Sequence, residues 1–554
     1  MRIAVIGGGP GGLFFATLLR RADPSVEVTV FERNRADDAF GFGVVFSDRT
    51  LAGIHAADPV LREALEVHGR HWQDIEVRLK DERIRCGGNG MAAISRRTLL
   101  ALMQARAGEV GARLRFGTEA DLAELAGYDL VVAADGAGSR TREALAGTLG
   151  STVETATAKF IWFGTDYRFD GLTFVHERGP HGVFAVHGYP ISAQASTFIV
   201  ECDEPSWRAA GLDGFDVTQP PGPSDLASKE YLEKLFAEQI DGHQLLVNNS
   251  RWGNFRTRRT ARWHTFAPRP VAFLGDAVHT AHFSVGSGTK MAMEDAIALS
   301  AALVGHGYDL PAALPAYEAA ARASVEAIQG SARPSLAWWE RFGRYHDGYE
   351  PWQFAYHFLS RSITDGRLAR RAPDFVEASH ARWRSRHGAE PLSSPISLAG
   401  RSVPGRAVEI RRLDADRAVA RVAGADLPLT GVAQPSVAQP SVTQPGVTQP
   451  GVTQPGQAWW GAWLRAPADE SGLPAAEAAM AALVESGPAL VAVHGGSAHT
   501  RVLLTEHARL HHGVPALLVD DGLDRDHAVT ALLSGRADLV GGDAETVASW
   551  TVAG

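Results

Sequence analysis

The stretch RIAVIGGGPGGLFFATLLRRADPSVEVTVFE, residues 2–32, decides the fold. Ile3 to Ile6 reads as an apolar strand, Leu13 to Leu19 as an apolar helix, and Glu27 to Phe31 as a second strand that ends in Glu32. Between the first strand and the helix, Gly7, Gly9 and Gly12 have the GxGxxG spacing. That motif is weak alone. A strand before it, a helix after it and an acid twenty positions beyond Gly12 complete the fingerprint of a dinucleotide site. The glycines permit a tight turn and close approach of a pyrophosphate to the helix N-terminus, and Glu32 is placed to accept from the adenosine ribose hydroxyls. Pro10 and Arg33 count with the same site. A plain βαβ unit is the bland alternative.

Working outward, GFGVVFSD (41–48) is a second glycine-punctuated stretch, for which a β-bulge is the bland reading. ISRRTLLALMQARA (94–107) is a helix with Leu99, Leu100 and Met103 on one face and two arginines at its entrance. An apolar strand (129–134) then leads into DGAGSRTR (135–142), a turn at a carboxyl end of the sheet. From 151 to 265 the texture changes to alternating, aromatic-rich strands, KFIWFGTDYRF, LTFVHERG, GVFAVHGYPIS and STFIVECDE, which read as an antiparallel sheet with one face open to a substrate. The first fold resumes at VAFLGDAVHTAHFSVGSGTKMAMEDAIAL (271–299). Here Asp276 leaves the sheet edge, Gly286 and Gly288 let the backbone pass close to something flat or anionic, and Thr289 to Leu299 is a helix whose positive end faces that object.

The chain of 554 residues has room for two or three domains. Hydrophobic and charged contents of 45% and 21% are those of a soluble globular protein, and a net charge of −9 argues against nucleic acid as a partner. Cys86 and Cys202 lie far apart, so neither a disulfide framework nor a metal site is expected. No run approaches the ~18 apolar residues that span a bilayer, and the chain opens directly on a strand, so a cytoplasmic protein without a membrane partner is expected. The predicted fold class is α/β, a Rossmann-like domain with an inserted antiparallel β-sheet substrate domain, a helical C-terminal part and a separate small α/β C-terminal segment. The predicted domains are 1–150, 151–265 for the inserted sheet, 266–385 for the resumed first domain and its helices, 386–430, a repeat linker at 431–457 and 458–554. The linker carries VAQPS twice and VTQPG three times, without an apolar face. The βα units beyond it are too few to close a barrel, which takes roughly 200 residues or more.

The glycine fingerprint, Arg96, the DGxxSxxR pattern from Asp135 to Arg142 and the Gly275-Asp276 stretch, in this order around an antiparallel sheet, resemble the group A FAD-dependent aromatic hydroxylases. The resemblance covers residues 1 to about 385 and implies FAD as cofactor, NADH or NADPH as a transient reductant, and O2 as co-substrate. It places Gly7, Gly9, Gly12 and Glu32 on the ADP half of FAD, Asp135 beneath FAD and the nicotinamide donor, and Asp276 on the ribityl chain, with Arg96 the chosen arginine of the helix entrance. Val45, Gly286, Gly288 and Thr289 complete the expected cofactor contacts. GFGVVFSD, KFIWFGT, HGYP and the 275–299 stretch are similar to the branch that acts on CoA esters, the salicylyl-CoA 5-hydroxylases and the hydroxylase half of anthraniloyl-CoA monooxygenases. Where many members of the superfamily carry Pro-Pro and Asn, this chain has His282-Phe283 and Lys290. Residues 391–410 and 514–540 resemble the opening and the last two units of a flavin ene-reductase barrel, with Gly-Gly-Asp where a phosphate-binding Arg is usual. The expectation is a shortened remnant that binds no FMN. A small independent domain for oligomer contact is the alternative, and a homodimer is an open expectation.

The implied reaction places oxygen on the ring carbon para to an activating group, so a 2-hydroxybenzoyl thioester would become 2,5-dihydroxybenzoyl-CoA. His282, which stands where a proline is usual, is the first candidate catalytic residue, and His187 in the HGYP strand the second, since imidazole suits phenol deprotonation near neutral pH. Phe283 and Lys290 are expected at the substrate. The CoA phosphates need a basic surface on this acidic chain, and Arg256, Arg258 and Arg259 form the densest run, with Arg367, Arg370 and Arg371 a second. For any one of them a solvated charged face is the bland reading. Alternatives are 5-hydroxylation of 2-aminobenzoyl-CoA, hydroxylation of tryptophan or indole, and a flavin-binding regulator without catalysis.

Overall fold

The computed structural model describes all residues except Phe40, Pro221, Ser287, 432–458 and 552–554, and leaves the side chains of Arg49, His55, Val285 and Thr551 undescribed. The repeat linker expected at 431–457 therefore lies, apart from Gly431, outside the described residues. The chain divides into two compact units, Met1–Gly343 and Arg344–Gly554.

In the first unit, β1 (Arg2–Ile6), α1 (Pro10–Ala22) and β2 (Glu27–Phe31) form the expected βαβ start. Strands β1 and β2 pair in parallel, and four of the five residues in each are buried, as a sheet covered on both faces requires. The stretch for which a β-bulge is the bland alternative forms a strand, β3 (Gly43–Ser47), paired antiparallel with β4 (Met91–Ser95). Ser95 caps the next helix, α2 (Arg96–Glu109), by accepting from the Thr98 N–H, so the cap fixes where Arg96 stands. Strand β5 (Leu130–Ala133) lies beside β1, and after the insertion β6 (Val271–Phe273) adds to β5 in parallel. A strand that follows 137 residues after another thus becomes its neighbour, because β5 offers a free edge that only an apolar strand can cover.

The second sheet is built from β-strands at Ser151–Thr165, Ser196–Cys202, Gly182–Pro190, Leu172–Gly179 and Gly253–Thr260, paired antiparallel as expected. It is not confined to residues 151–265. The hairpin Ile75–Leu79 and Glu82–Cys86 joins it, and Ile75–Leu79 runs parallel to Leu172–Gly179, so the sheet is mixed and borrows two strands from the first segment. Gly288–Gly305 and Leu310–Trp339 are the long helices that follow.

The second unit departs furthest from expectation. The helices Pro351–Leu359, Asp365–Arg371 and Pro373–His387 belong with it, so the boundary expected at 385 falls at 343. Buried polar ties hold them there: Tyr349 Oη donates to the Gly535 carbonyl (2.8 Å) and Arg536 Nη2 to the His357 carbonyl (2.9 Å). Strands Ala407–Arg412, Arg417–Val422 and Ala425–Thr430 form an antiparallel meander, Gly461–Arg465, Val491–His494, Ala516–Val519 and Leu539–Gly542 follow in parallel, and the last pairs back on the first to close a barrel. The expectation of too few units, and of two separate pieces at 386–430 and 458–554, is corrected. The requirement of roughly 200 residues assumes a helix after every strand, whereas here tight turns join three of the seven. Ile410, Ala420, Leu427, Trp463, Leu517 and Leu539 are among the side chains that fill the interior.

Candidate active site

The cofactor end grows out of the first βα turn. Gly7 has φ +109°, and a Cβ there would lie 2.2 Å from the Ala134 carbonyl oxygen. At Gly12 a Cβ would meet the Gly7 carbonyl at the same distance, so helix and strand can approach only through glycine. Gly9 caps α1 without any side-chain hydrogen bond and has open space where a Cβ would point, which leaves the first N–H groups of the helix directed at a ligand. Beside it, Glu32 accepts from the Gly8 N–H (2.7 Å) and from the Asn34 backbone and side-chain nitrogens (2.9 and 2.7 Å). Both carboxylate oxygens are oriented this way, and Oε2, which accepts once, keeps lone-pair capacity for a ribose hydroxyl. A cleft of about 630 Å³ is lined by Gly7, Gly9, Glu32, Arg33, Arg96 and Asp135, with other residues.

Asp135 accepts from the Thr141 N–H and hydroxyl through Oδ2 (3.2 and 3.0 Å), while Oδ1 is buried with no hydrogen-bond partner among the described residues. A buried carboxylate oxygen without a donor costs stability unless a ligand supplies one. Arg142, also buried, donates to the carbonyls of Ala277 and Ala137 (both 2.9 Å) and so ties the Asp135 turn to the Gly275-Asp276 turn. On the far side, Asp295 accepts from the Gly275 N–H (2.8 Å) and lies 2.7 Å from His279 Nε2. Arg142, His279 and Asp295 are positioning residues that sequence reasoning missed, although Arg142 closes the quoted DGxxSxxR pattern. Asp276 is accessible, yet protein atoms crowd around it. This desolvation raises its pKa against the pull of His279, Arg96 and Arg258. Burial lowers the Arg96 guanidinium, and Asp276 and Tyr189 oppose that shift. Gly286, with φ +62°, ends the turn two residues before the helix that starts at Gly288-Thr289.

Past this turn lies an aromatic cluster. Phe283 packs against Phe160, Trp162, His187 and Phe255 at ring distances of 5.0, 5.8, 5.5 and 6.1 Å, and shares an apolar cluster with Val45, Trp72 and Tyr189. His282 and His187, 2% and 4% exposed, meet at one carboxylate that sequence reasoning also missed: Glu201, 1% exposed, whose Oε1 is 2.9 Å from His187 Nε2 and whose Oε2 is 4.0 Å from His282 Nε2. Nδ1 of His282 accepts from the Ser284 N–H (3.3 Å) and lies 2.7 Å from its hydroxyl, which reaches Ser335 at 2.8 Å. That contact places the ring proton on Nε2, facing Glu201. The available signal was an acid inside STFIVEC, a strand buried at every position.

The basic residues divide. Arg256 and Arg258 share one face of their strand, and Arg258 reaches Ser151 Oγ (3.3 Å). Burial lowers the Arg258 pKa, and the nearby Arg142 and Arg256 lower it further. Arg259 is on the other face and pairs with Glu154 at 3.1 Å. Lys290 pairs with Glu294, one turn along its own helix, at 2.9 Å. Of the predicted substrate contacts, Phe283 is therefore in the aromatic cluster, whereas Lys290 and Arg259 already have surface carboxylates as partners.

A ligand with a pyrophosphate at one end and a flat polar ring system at the other would use both the glycine cradle and the turn at Gly275-Asp276. FAD is such a ligand, and the fold and site define an FAD-dependent oxidoreductase that draws its electrons from NAD(P)H. Residues 5–39 match the family model of the NAD(P)-binding Rossmann-like domain, and residues 127–331 that of the FAD binding domain. The chain belongs to the FAD-dependent aromatic hydroxylases, in the family of a salicyloyl-CoA 5-hydroxylase from Streptomyces, with which it is 54% identical over 98% of its own length and 100% of the relative's. It is also 36% identical to a 3-hydroxy-4-methyl-anthranilyl-[aryl-carrier protein] 5-monooxygenase of Streptosporangium sibiricum, over 62% of this chain and 90% of that one. With a protodeoxyviolaceinate monooxygenase of Chromobacterium violaceum it shares 33% identity, over 61% and 89%. No described helix is long and apolar enough to cross a membrane.

Proposed function

We propose that this enzyme hydroxylates salicylyl-CoA at C5, converting it with O2, NAD(P)H and a proton into 2,5-dihydroxybenzoyl-CoA, water and NAD(P)+. The observation that carries the reading is the identity of 54% along essentially the whole of both chains with a protein named for that activity. Bound FAD supplies the two-electron activation of O2 and an electrophilic oxygen atom. The chain supplies the rest. Phe283, Phe160 and Trp162 form a dry wall against which an aromatic ring can be held in a fixed orientation. As oxygen adds at C5, the phenol para to it becomes more acidic and needs somewhere to send its proton. Glu201, set between two imidazoles, provides that place: its Oε1 lies 2.9 Å from His187 Nε2 and its Oε2 faces His282 Nε2, so positive charge on either ring is balanced by a buried carboxylate. Arg256 and Arg258, on the face of their strand nearer Asp276, are the proposed contacts of the CoA phosphates.

The relationship to an anthranilyl 5-monooxygenase favours a second reading, in which an amino group activates the same carbon. Both are tested by measuring NAD(P)H oxidation and product mass for the purified holoenzyme with salicylyl-CoA, anthraniloyl-CoA and free salicylate. Tightly coupled turnover with one added oxygen on salicylyl-CoA is expected. Coupled turnover on anthraniloyl-CoA alone would select the second reading, and coupled turnover on free salicylate would remove the role of the arginines.

A further inference from the structure

Outside the active site, three histidines of the second unit converge where the helix Ala498–Leu510 ends. His507 is on the last turn of this helix and buried, His511 follows it one turn later as the C-cap residue, and His512 comes next. Spacing of four residues puts His507 and His511 on one helix face, with the His511 N–H donating to the His507 carbonyl (3.0 Å), and His512 stands beside them. Their rings lie 4.6, 5.1 and 4.8 Å apart, and one nitrogen from each falls within 4.8 Å of the other two. Glu477, on the helix Leu473–Val484, places Oε1 3.6 Å from His507 Nδ1. Two further observations bear on a ligand. His512 Nε2 is buried and has no hydrogen-bond partner among the described residues. The carbonyl end of a helix also carries partial negative charge that suits a cation.

We propose that His507, His511 and His512 form a site for a divalent transition metal of the zinc class, with Glu477 as fourth ligand or as the carboxylate that orients His507. Three neutral imidazoles and one carboxylate are a donor set for Zn2+, Co2+ or Ni2+ and not for Ca2+ or Mg2+, which take oxygen. Closing the set around an ion with Zn–N bonds of about 2.0–2.1 Å requires rotation of the His511 and His512 rings. His511 is exposed, so its ring can turn about the side-chain bonds, and His512 lies past the C-cap of the helix. The bound ion would fasten the end of one helix to its neighbour, a structural role separate from the oxygen chemistry. The expectation of no metal followed from the two distant cysteines; histidines at 507, 511 and 512 become a cluster only once the helix sets the first two one turn apart and the third packs against them.

The test uses the full-length FAD-loaded protein without an affinity tag, stripped with a chelator and desalted. Titration with Zn2+ should show one tight equivalent and a rise in the thermal midpoint of one unfolding transition, and Co2+ in its place should develop the intense visible absorption of a four-coordinate ion. His511→Ala, at an exposed position, and His512→Ala should each weaken that equivalent at least about tenfold and abolish both the thermal shift and the absorption, with FAD content and hydroxylation unchanged. Binding of the same stoichiometry and affinity in both variants, or no binding of Zn2+ at micromolar concentration by the unaltered protein, would overturn the proposal.

Discussion

At the scale of single residues, the proposed chemistry turns on Glu201. A carboxylate with 1% exposure is costly to bury unless charge or hydrogen bonds compensate it, and here His187 and His282 bring their Nε2 atoms to 2.9 and 4.0 Å from its two oxygens. Replacing it by Gln keeps the volume and removes the charge. For Glu201→Gln we expect unchanged FAD content, a kcat lowered by roughly 10²–10⁴, and NAD(P)H oxidation uncoupled from product; stopped-flow kinetics with product quantification reads both. Full coupled turnover would show that the carboxylate only packs. His282 and His187 were legible in the sequence as histidines at unusual places, but their common partner was not, because the strand that carries Glu201 is linked to each through sheet pairing and a turn, and neither is local in the chain.

At the scale of elements, the period of two in a β-strand sorts the arginines. Arg256 and Arg258 project from the same side of Gly253–Thr260, and Arg259 projects from the other, toward Glu154. Arg256→Glu should therefore raise KM for the CoA ester by roughly tenfold and leave KM for NAD(P)H nearly constant, while Arg259→Glu should change neither by more than about twofold, as expected of an exposed pair. Initial-rate kinetics on both variants decides this; equal effects would place the CoA phosphates elsewhere. The run of arginines was visible in the sequence, yet only a known strand register tells which members share a face.

At the scale of the whole molecule, the two units differ in what acid does to them. In the second unit, burial pushes His357, His387 and His494 each down to about 4, helped by Arg536, Arg406 and Arg465 respectively. An unfolded histidine titrates near about 6.5, so each group contributes stability that is complete above that pH and lost as pH falls toward 4. His380, raised by its carboxylate partners, works in the opposite sense. In the first unit, burial pushes Glu318 up, but hydrogen bonds from His264, the Trp263 N–H and Arg322 outweigh it and hold the carboxyl at about 2. Its contribution is complete above the ordinary carboxylate range and is lost only as pH falls from there toward 2. Calorimetry from pH 7 to 4, with flavin fluorescence reporting the first unit, should show the transition that does not release FAD moving down first, below about pH 6.5. Release of FAD as the first event would contradict this.

By itself the sequence determined the dinucleotide turn, the order of the motifs, the inserted sheet and the family, because each rests on local chemistry: glycines where a Cβ would strike backbone, an acid at the end of a strand, a change of hydrophobic period. The tertiary structure decided what depends on closure and on partners distant in the chain. Strands before and after the repeat segment complete one barrel because the last of them, Leu539–Gly542, has a free edge that only Ala407–Arg412 covers, and no local pattern encodes that pairing. For the same reason the two candidate histidines meet only through a third residue, carried on another strand, whose carboxylate lies between them.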